Sequence, residues 1–275
     1  MKRTIAIQGV KGSFHHSVAQ HYFNSDEMLL ECMTFDVLVA SLLEEKTEIA
    51  VMAIENSIAG SIIPNYALID DNNLKIVGEY YLDIQHNFMA LEGQTIADIK
   101  EVHSHPMALL QCKEYFKKFP KIKLVEAKDT AHVAKEIFEK QKYGVAAIAS
   151  DTAAELYGLN ILAKSIQTIK HNETRFVIVK RNDSDLIIEA INKASLKFEL
   201  DHKRGSLAAI LNVLSDCKLN LTKIQSLPKI DMPWRYAFFV DVTFSEIDDY
   251  IKAKSIVSIM AKNFKVLGEY KNSKL

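Results

Sequence analysis

The 275-residue chain is long enough for two domains of ordinary size, and its hydrophobic content of 48% supports a buried core in each. Its 34 lysines and arginines nearly balance its 35 aspartates and glutamates. The chain therefore has no overall field that attracts nucleic acid or an anionic membrane surface. We predict a globular protein with no nucleic-acid or membrane partner, in which local contacts hold any anionic ligand.

Targeting and redox features predict a cytoplasmic location. The apolar stretch in MKRTIAIQG ends at Gln8 and is too short for a signal-peptide core, and no apolar run approaches membrane-spanning length. Cys32, Cys112 and Cys217 lie far apart and show no CxxC spacing. We expect three reduced, mostly buried thiols.

Short strands alternate with amphipathic helices from residue 4 to about residue 180, which predicts parallel strands joined by crossover helices. The predicted strands are IAIQG, LLECM, IAVMAI, EVHSH, KLVEA and VAAIA. The predicted helices are SFHHSVAQHYF, FDVLVASLLEEK, a short segment around Pro64, PMALLQCKEYFKK and TAHVAKEIFEKQK. The apolar-rich stretch 74–91 is long enough for one strand that crosses between two lobes, and FVIV would return the chain. Two crossings predict a cleft.

The C-terminal part has a different order of elements. Residues 181–192 begin with polar side chains and are predicted to be a linker. The segments that follow are the strand ASLKFELD, the helix SLAAILNVLSDC, the strands NLTKIQSLP and YAFFVDVTF, the helix YIKAKSIVSIMAKNF and the strand KVLGEY. This βαββαβ order is typical of a ferredoxin-like domain.

Four strand-to-helix junctions carry small or hydroxyl side chains, namely VKGS (10–13), ENS (55–57), HSHP (103–106) and SDT (150–152). Helix N-termini beyond the carboxyl ends of strands bind ligands in open α/β sheets. N-capping requires the same residue types, so both interpretations stand at each junction. Residues 171–175, HNETR, allow two interpretations as well. They form either a tight turn before FVIV or part of the cleft, with His171 to Glu173 solvated.

No metal or cofactor site is predicted. His15, His16, His103 and His105 lack carboxylate and cysteine partners at ligand spacing. The GVKG segment (9–12) matches neither the dinucleotide fingerprint nor the P-loop.

The segments GVKGSFHHSVA, VMAIENSIAGSI, VHSHPMALLQC and NETRF resemble, in order and rough spacing, the motifs of prephenate dehydratase. KFELDHKRGSLAAIL with NLTKIQSLP resembles that family's ACT regulatory domain. The resemblance covers nearly the whole chain. It implies an α/β fold, with a two-lobed catalytic domain like a periplasmic binding protein and a ferredoxin-like βαββαβ ACT domain. The catalytic domain is expected at 1–182, with lobe one at 1–77 and 168–182 and lobe two at 78–167, and the ACT domain at 193–275.

The resemblance implies decarboxylative dehydration of prephenate to phenylpyruvate, water and CO2 in L-phenylalanine biosynthesis, without a cofactor. Thr174 matches the threonine that the family uses when the hydroxyl departs, and Asn56 and Ser57 are the other expected catalytic residues. Arg175 either anchors a carboxylate or faces away, because adjacent strand residues point to opposite sides. The other residues expected to bind substrate are Phe176, Ser13, Ser104, His105 and Glu55, the last bracing its loop.

For the C-terminal domain, the resemblance implies feedback inhibition by L-phenylalanine and a homodimer or homotetramer. The expected effector-binding residues are Gly205, Ser206, Leu207, Ala208, Gln225, Ser226, Leu227 and Pro228. QSLP (225–228) stands where the family usually has ESRP, so the acid and the arginine that could form an ion pair at the effector loop are both absent. Gly205 either lets the backbone approach a ligand or turns the chain before a helix. Two other functions stay open: arogenate dehydratase, and a non-catalytic small-molecule sensor.

Overall fold

The computed structural model describes residues 3–23, 27–182, 190–201, 203–229 and 235–274. The strands in these residues are β1 (Thr4–Gln8), β2 (Met28–Cys32), β3 (Ile49–Asn56), β4 (Gly60–Ser61), β5 (Leu74–Asp83), β6 (Asn87–Ala90), β7 (Glu101–Ser104), β8 (Lys123–Glu126), β9 (Val145–Ala149), β10 (Asn160–Ala163), β11 (Glu173–Arg181), β12 (Lys193–Glu199), β13 (Asn220–Pro228), β14 (Tyr236–Thr243) and β15 (Lys262–Tyr270). The α-helices are α1 (Phe14–Phe23), α2 (Phe35–Leu43), α3 (Ile63–Asp71), α4 (Pro106–Phe116), α5 (Thr130–Glu139), α6 (Asp151–Tyr157), α7 (Ser206–Asp216) and α8 (Ile247–Met260).

The described chain divides into two compact units. One comprises Met1–Gly60 and Tyr81–Phe176, and the other comprises Ser61–Tyr80 and Val177–Leu275. Of the predicted linker, residues 183–189 lie outside the described residues. None of the helices in the described ranges is long and apolar enough to cross a membrane.

The first unit contains two sheets. In one, β1 pairs in parallel with β2 and with β3, and residues 5–7 of β1 are fully buried beneath α1 and α2. The other sheet has the order β10-β6-β9-β7-β8. Alanines and valines of α5 pack on this sheet around Met89 and Leu91, while α4 packs around Phe88 and Val102. Near-continuous apolar strands thus form two buried layers, as expected for strands covered on both faces.

Two predictions about the strands are wrong in detail. The stretch 74–91 is not one strand, because β5 ends at Asp83 and β6 begins at Asn87. Between them, the backbone N–H of Ile84 donates to the Asn172 carbonyl at 2.6 Å, and that of His86 donates to Gln167 Oε1 at 3.0 Å. The second sheet is mixed rather than parallel, because β6 runs antiparallel to both β9 and β10.

The second unit contains the elements β12, α7, β13, β14, α8 and β15, in the βαββαβ order. Its four strands pair antiparallel in the order β13-β14-β12-β15, and β15 also pairs in parallel with β5. At that last pairing a Cβ on Gly268 would lie 2.2 Å from the Ile76 carbonyl oxygen, so only glycine fits. The core also buries an ion pair, in which Lys193 Nζ lies 2.8 Å from a Glu79 carboxylate oxygen.

Candidate active site

The three predicted catalytic residues, Asn56, Ser57 and Thr174, lie together where β3 ends and β11 begins. Asn56 Nδ2 donates to Thr174 Oγ1 at 2.9 Å. The backbone N–H of Ser57 donates to the Glu173 carbonyl at 2.8 Å, and the N–H of Glu173 donates to Ser57 Oγ at 2.9 Å. The ENS and NETR segments, distant in sequence, are therefore held in register by both backbone and side-chain hydrogen bonds.

The orientation of the Asn56 amide follows from its neighbours. Its Oδ1 accepts hydrogen bonds from the backbone N–H groups of Ile58 at 3.0 Å and Ala59 at 2.8 Å. Backbone N–H groups only donate, so this side of the amide must be the oxygen. The Asn56 nitrogen consequently faces Thr174 and Asn172.

This assignment fixes the next two amides in turn. Asn56 Nδ2 donates to Asn172 Oδ1 at 2.8 Å, which leaves Asn172 Nδ2 to donate to Gln111 Oε1 at 2.9 Å. His86 Nε2 lies 2.8 Å from the same Gln111 oxygen. Because that oxygen can only accept, Nε2 of His86 carries the proton. A continuous chain of hydrogen bonds thus links His86 through three amides to Thr174, in which Gln111 Oε1 accepts from both neighbours and Asn56 Nδ2 donates to both.

The donor at the last link of this chain determines what Thr174 can do. Its oxygen accepts from Asn56, and no acceptor for its hydroxyl hydrogen occurs among the residues that the structure describes. Ser57 has the same arrangement, because its oxygen accepts from the Glu173 N–H. Both hydroxyl groups are therefore available to donate a hydrogen bond to a bound ligand.

Sequence reasoning missed Gln111, His86 and Asn172 as parts of this site. Asn172 was expected to be solvated, and that prediction is wrong, because its side chain is fully buried and bonded at both ends. Gln111 stands in the quoted VHSHPMALLQC motif, one turn and a half into α4, which was a usable signal. His86 lies in the break between β5 and β6, which was predicted to be continuous strand.

Arg175 and Phe176 continue β11 into the core. Their side chains are 4% and 1% exposed, so the strand is buried on both faces and alternation does not direct Arg175 to solvent. The Phe176 ring packs edge-on against His15 at 5.0 Å. His15 Nε2 accepts from the Ala53 N–H at 3.3 Å, and burial lowers the pKa of His15 to about 3. His15 is thus a neutral, hydrogen-bonded core residue.

The other predicted substrate-binding residues lie at strand ends and helix N-termini, and several of their polar atoms bond to the protein. Ser13 Oγ accepts from the His16 N–H at 3.3 Å, and His105 Nδ1 accepts from the Met107 N–H at 3.2 Å at the start of α4. The fully buried Ser104 hydroxyl donates to the Ile148 carbonyl at 2.7 Å. Glu55 is half-buried at the end of β3. The capping interpretation thus describes the visible contacts of Ser13 and His105.

The loop after β1 packs closely against the N-termini of α5 and α6. Ser150 Oγ donates to the Gly12 carbonyl at 2.6 Å, and Tyr157 donates to the Lys11 carbonyl at 2.6 Å. Gly12 has φ +89°, and a Cβ there would lie 3.0 Å from the Ala153 Cα. Asp129, which caps α5, lies against the same loop, and burial raises the pKa of its carboxyl group. Three helix starts therefore gather around one glycine-containing loop.

Metal-binding clusters of three or more His, Cys, Asp or Glu side chains are absent from the described parts of the chain. The three cysteines are buried free thiols, and burial raises the pKa of Cys112 to about 12. The site described above consists of hydroxyl and amide groups, which are hydrogen-bond donors and acceptors rather than a ligand set for a transition metal.

The predicted effector residues fall into two groups. Gly205 has φ +82° and precedes α7, and residues 206–208 form the first turn of that helix. Ser206 and Leu207 line a cavity of about 130 Å³, whose other lining residues are Leu200, Asp201, Lys203, Arg235, Tyr236 and Phe238. Residues 225–228 belong to β13, where they pair with β14, and they are not among the lining residues.

Comparison with known proteins identifies the family. The prephenate dehydratase family model matches residues 5–184. The chain is 31% identical over 271 residues to the bifunctional chorismate mutase/prephenate dehydratase of Buchnera aphidicola, covering 97% of this chain and 70% of that protein. It is 36% identical over 276 residues to arogenate dehydratase/prephenate dehydratase 2 of Arabidopsis thaliana, covering 97% of this chain and 72% of the relative.

Two solved structures superpose on nearly the whole of this chain. A chain described as GqqA, a novel type of quorum quenching acylase, superposes with a TM-score of 0.89 at 28% identity and covers 98% of both chains. The prephenate dehydratase of Arthrobacter aurescens in complex with L-Phe superposes with a TM-score of 0.88 at 23% identity, covering 98% of this chain and 90% of its own, a likeness of fold. The family model and the identities show that this chain belongs to the prephenate dehydratase family.

Proposed function

We propose that this chain is an enzyme that converts prephenate to phenylpyruvate, water and CO2 in L-phenylalanine biosynthesis. One observation carries the proposal: the Thr174 hydroxyl accepts from Asn56 at 2.9 Å, so its own hydrogen can be donated to a substrate oxygen. Asn56, Ser57 and Thr174 all lie within residues 5–184, which match the prephenate dehydratase family model, and this supports the assignment.

The reaction requires two groups to leave the same ring. The bond between the ring and its carboxylate breaks, and its electron pair moves through the ring as CO2 departs. The electrons then expel the hydroxyl on the opposite carbon, and one proton taken up from solvent completes the water molecule. Aromatisation of the ring supplies much of the driving force, so the enzyme has mainly to assist the departing hydroxyl.

Thr174 fits the role of donor to that hydroxyl. Negative charge develops on the leaving oxygen, and a fixed donor aimed at it stabilises the transition state more than the ground state. A threonine hydroxyl is a weak acid, so we assign it the orientation of the hydroxyl or the relay of a proton. Asn56 keeps the threonine oxygen in the accepting role. Ser57 supplies a second available donor at the same edge of the site.

The remaining assignments concern the substrate's carboxylates. We propose that helix N-termini near Ser13, Ser104 and His105 attract the dianion, because they present partial positive charge. Arg175 remains a proposed carboxylate anchor and Phe176 a proposed neighbour of the ring. Glu55 is assigned to bracing its loop, because an ionised carboxylate facing a dianion is repulsive.

Formation of phenylpyruvate by the purified protein tests this function. We expect product above the spontaneous rate with prephenate as the only added substrate, and no stimulation by added metal or nucleotide. Product formation no faster than in buffer would overturn the assignment of an enzymatic function. It would favour the alternative, a non-catalytic sensor that binds prephenate in the same site.

Arogenate is the second candidate substrate, because the name of the Arabidopsis relative includes both activities. Arogenate carries an amino group where prephenate carries a keto group, remote from the leaving hydroxyl. We expect a higher kcat/KM for prephenate. Equal or better turnover of arogenate would reassign the substrate and leave the role of Thr174 in place.

We propose that residues 1–182 form the catalytic domain, two-lobed like a periplasmic binding protein, with lobe one at 1–77 and 168–182 and lobe two at 78–167. Residues 193–275 are proposed to form a ferredoxin-like ACT domain. The βαββαβ order and the sheet order β13-β14-β12-β15 support the second assignment. We also propose a cytoplasmic homodimer or homotetramer, and a monomeric mass in light scattering would contradict this.

L-phenylalanine is the proposed feedback effector. The cavity beside α7 combines apolar Leu207 and Phe238 with the acidic Asp201 and the basic Arg235, which suits an amino acid with an apolar side chain. Titration calorimetry should detect L-phenylalanine at millimolar concentration. Arg235→Met should weaken binding, whereas Lys252→Met, on an exposed position of α8, should not. Absence of heat with the unaltered protein would remove the claim.

A further inference from the structure

His86 occupies the far end of the hydrogen-bond chain that reaches Thr174. It is 4% exposed, and its Nε2–H donates to Gln111 Oε1 at 2.8 Å. Gln111 Oε1 also accepts from Asn172, so its two lone pairs are both engaged. Two donors on one oxygen fix the plane of the Gln111 amide as well as its direction.

Contacts of both the backbone and the ring hold His86 in place. The backbone N–H of His86 donates to Gln167 Oε1 at 3.0 Å, and the backbone carbonyl of His86 accepts from the Ile166 N–H at 2.8 Å. Phe14 packs edge-on against the imidazole with 5.7 Å between ring centroids. The imidazole is therefore held in one position, and its hydrogen bond holds the Gln111 amide in turn.

The other ring nitrogen, Nδ1, is buried and has no hydrogen-bond partner among the described residues. Burial also lowers the pKa of His86, so the neutral ring is favoured. A neutral imidazole with its proton on Nε2 leaves Nδ1 as a bare acceptor, which the core tolerates more easily than an unpaired N–H.

We propose that His86 is a positioning residue for the reaction, which acts through Gln111 and Asn172 to hold Asn56 and Thr174 in the donating geometry. The proposal rests on the dehydratase function proposed above. The backbone N–H groups of residues 58 and 59 fix one end of the chain, and His86 fixes the other. Without His86 the Gln111 oxygen keeps only the Asn172 donor, so the plane of its amide is no longer fixed and the alignment of the amides that follow is weakened.

Matched substitutions test this role. His86→Asn shortens the side chain so that it no longer reaches Gln111, whereas His86→Gln keeps an N–H near the position of Nε2. We expect His86→Asn to lower kcat about tenfold with little change in KM, since small misplacements of catalytic groups act mainly on the chemical step. His86→Gln should recover most of that loss. His21→Asn, at an exposed position near the end of α1, serves as the control and should leave kcat unchanged.

A spectroscopic measurement tests the geometry without any reference to activity. In ¹⁵N-labelled full-length protein at neutral pH, His86 should show a protonated Nε2 and an unprotonated Nδ1. The opposite tautomer would overturn the proposal even if the Asn variant did not fold. So would wild-type kcat in His86→Asn, or equal losses in the Asn and Gln variants, which would indicate a purely structural role. An inactive wild-type protein would instead overturn the proposed function first, and the role of His86 with it.

Discussion

Replacing Thr174 with valine is the sharpest perturbation of the site, because valine keeps the shape of threonine and removes only the hydroxyl. Thr174 Oγ1 is the acceptor for Asn56 Nδ2 and the proposed donor to the leaving hydroxyl. Loss of one preorganised donor lowers kcat by about 10²–10³, or roughly 3–4 kcal/mol of transition-state stabilisation. The same change removes one hydrogen bond of Asn56 Nδ2, which keeps the Asn172 oxygen at 2.8 Å and the Glu173 carbonyl at 3.4 Å, so we expect a cost of about 0.5–1.5 kcal/mol of folding stability.

Steady-state kinetics with prephenate and urea unfolding measure the two effects separately. We expect kcat to fall by the full amount while KM changes by less than about threefold, because the donor acts on charge that develops in the transition state. Thr174→Ser keeps the hydroxyl and should retain far more activity than Thr174→Val. A valine variant with kcat within about threefold of wild type would refute the assigned role. A large rise in KM with kcat unchanged would show that Thr174 binds the substrate and the transition state equally well.

Three further predictions concern stability, measured by urea unfolding. Gly12→Ala should cost about 2–4 kcal/mol from φ strain and contact with α6, whereas Gly93→Ala, with φ +81° in open space, should cost only the strain. Unfolded His15 binds a proton near pH 6.5 and folded His15 near pH 3, so its neutral form contributes stability above pH 6.5 that is lost as the pH falls. Between pH 7 and pH 4.5, protonation of unfolded His15 should lower the free energy of unfolding by about 2–3 kcal/mol, and His15→Phe should abolish this contribution. Lys193→Met should cost about 3–5 kcal/mol, and adding Glu79→Leu should recover much of it.

Each of these three predictions has a result that contradicts it. An equal decrease in the free energy of unfolding for Gly12→Ala and Gly93→Ala would show that the close approach of Gly12 to α6 contributes nothing to the cost. An unchanged pH dependence in the histidine variant would show that other groups account for the acid loss. A lysine variant that is not rescued by the second substitution would show that the lost packing, rather than the unpaired carboxylate, dominates the cost.

Periodicity predicted most of the elements correctly, because the apolar spacing of helices such as α7 and the continuous runs in β1 and β9 are local properties of the sequence. It failed at residues 84–86. There the strand ends because the backbone N–H groups of Ile84 and His86 bond to Asn172 and Gln167, more than eighty residues away in sequence. Local propensity carries no information about such partners. The short strand β10 was missed for the same reason, since it depends on pairing with β6.

The motif segments located Asn56, Ser57 and Thr174, yet the direction of their hydrogen bonds is a property of the folded chain. An asparagine amide is nearly symmetric in shape, and either end can face a neighbour. Here the direction is set by two backbone N–H groups, those of Ile58 and Ala59, which can only donate and therefore turn Asn56 Nδ2 toward Thr174. A threonine oxygen that accepts from a fixed amide keeps its own hydrogen available for an acceptor on a bound ligand. The sequence motif therefore identifies the Thr174 hydroxyl. The turn after β3 orients Asn56, and the hydrogen bond from Asn56 leaves that hydroxyl to act as a donor.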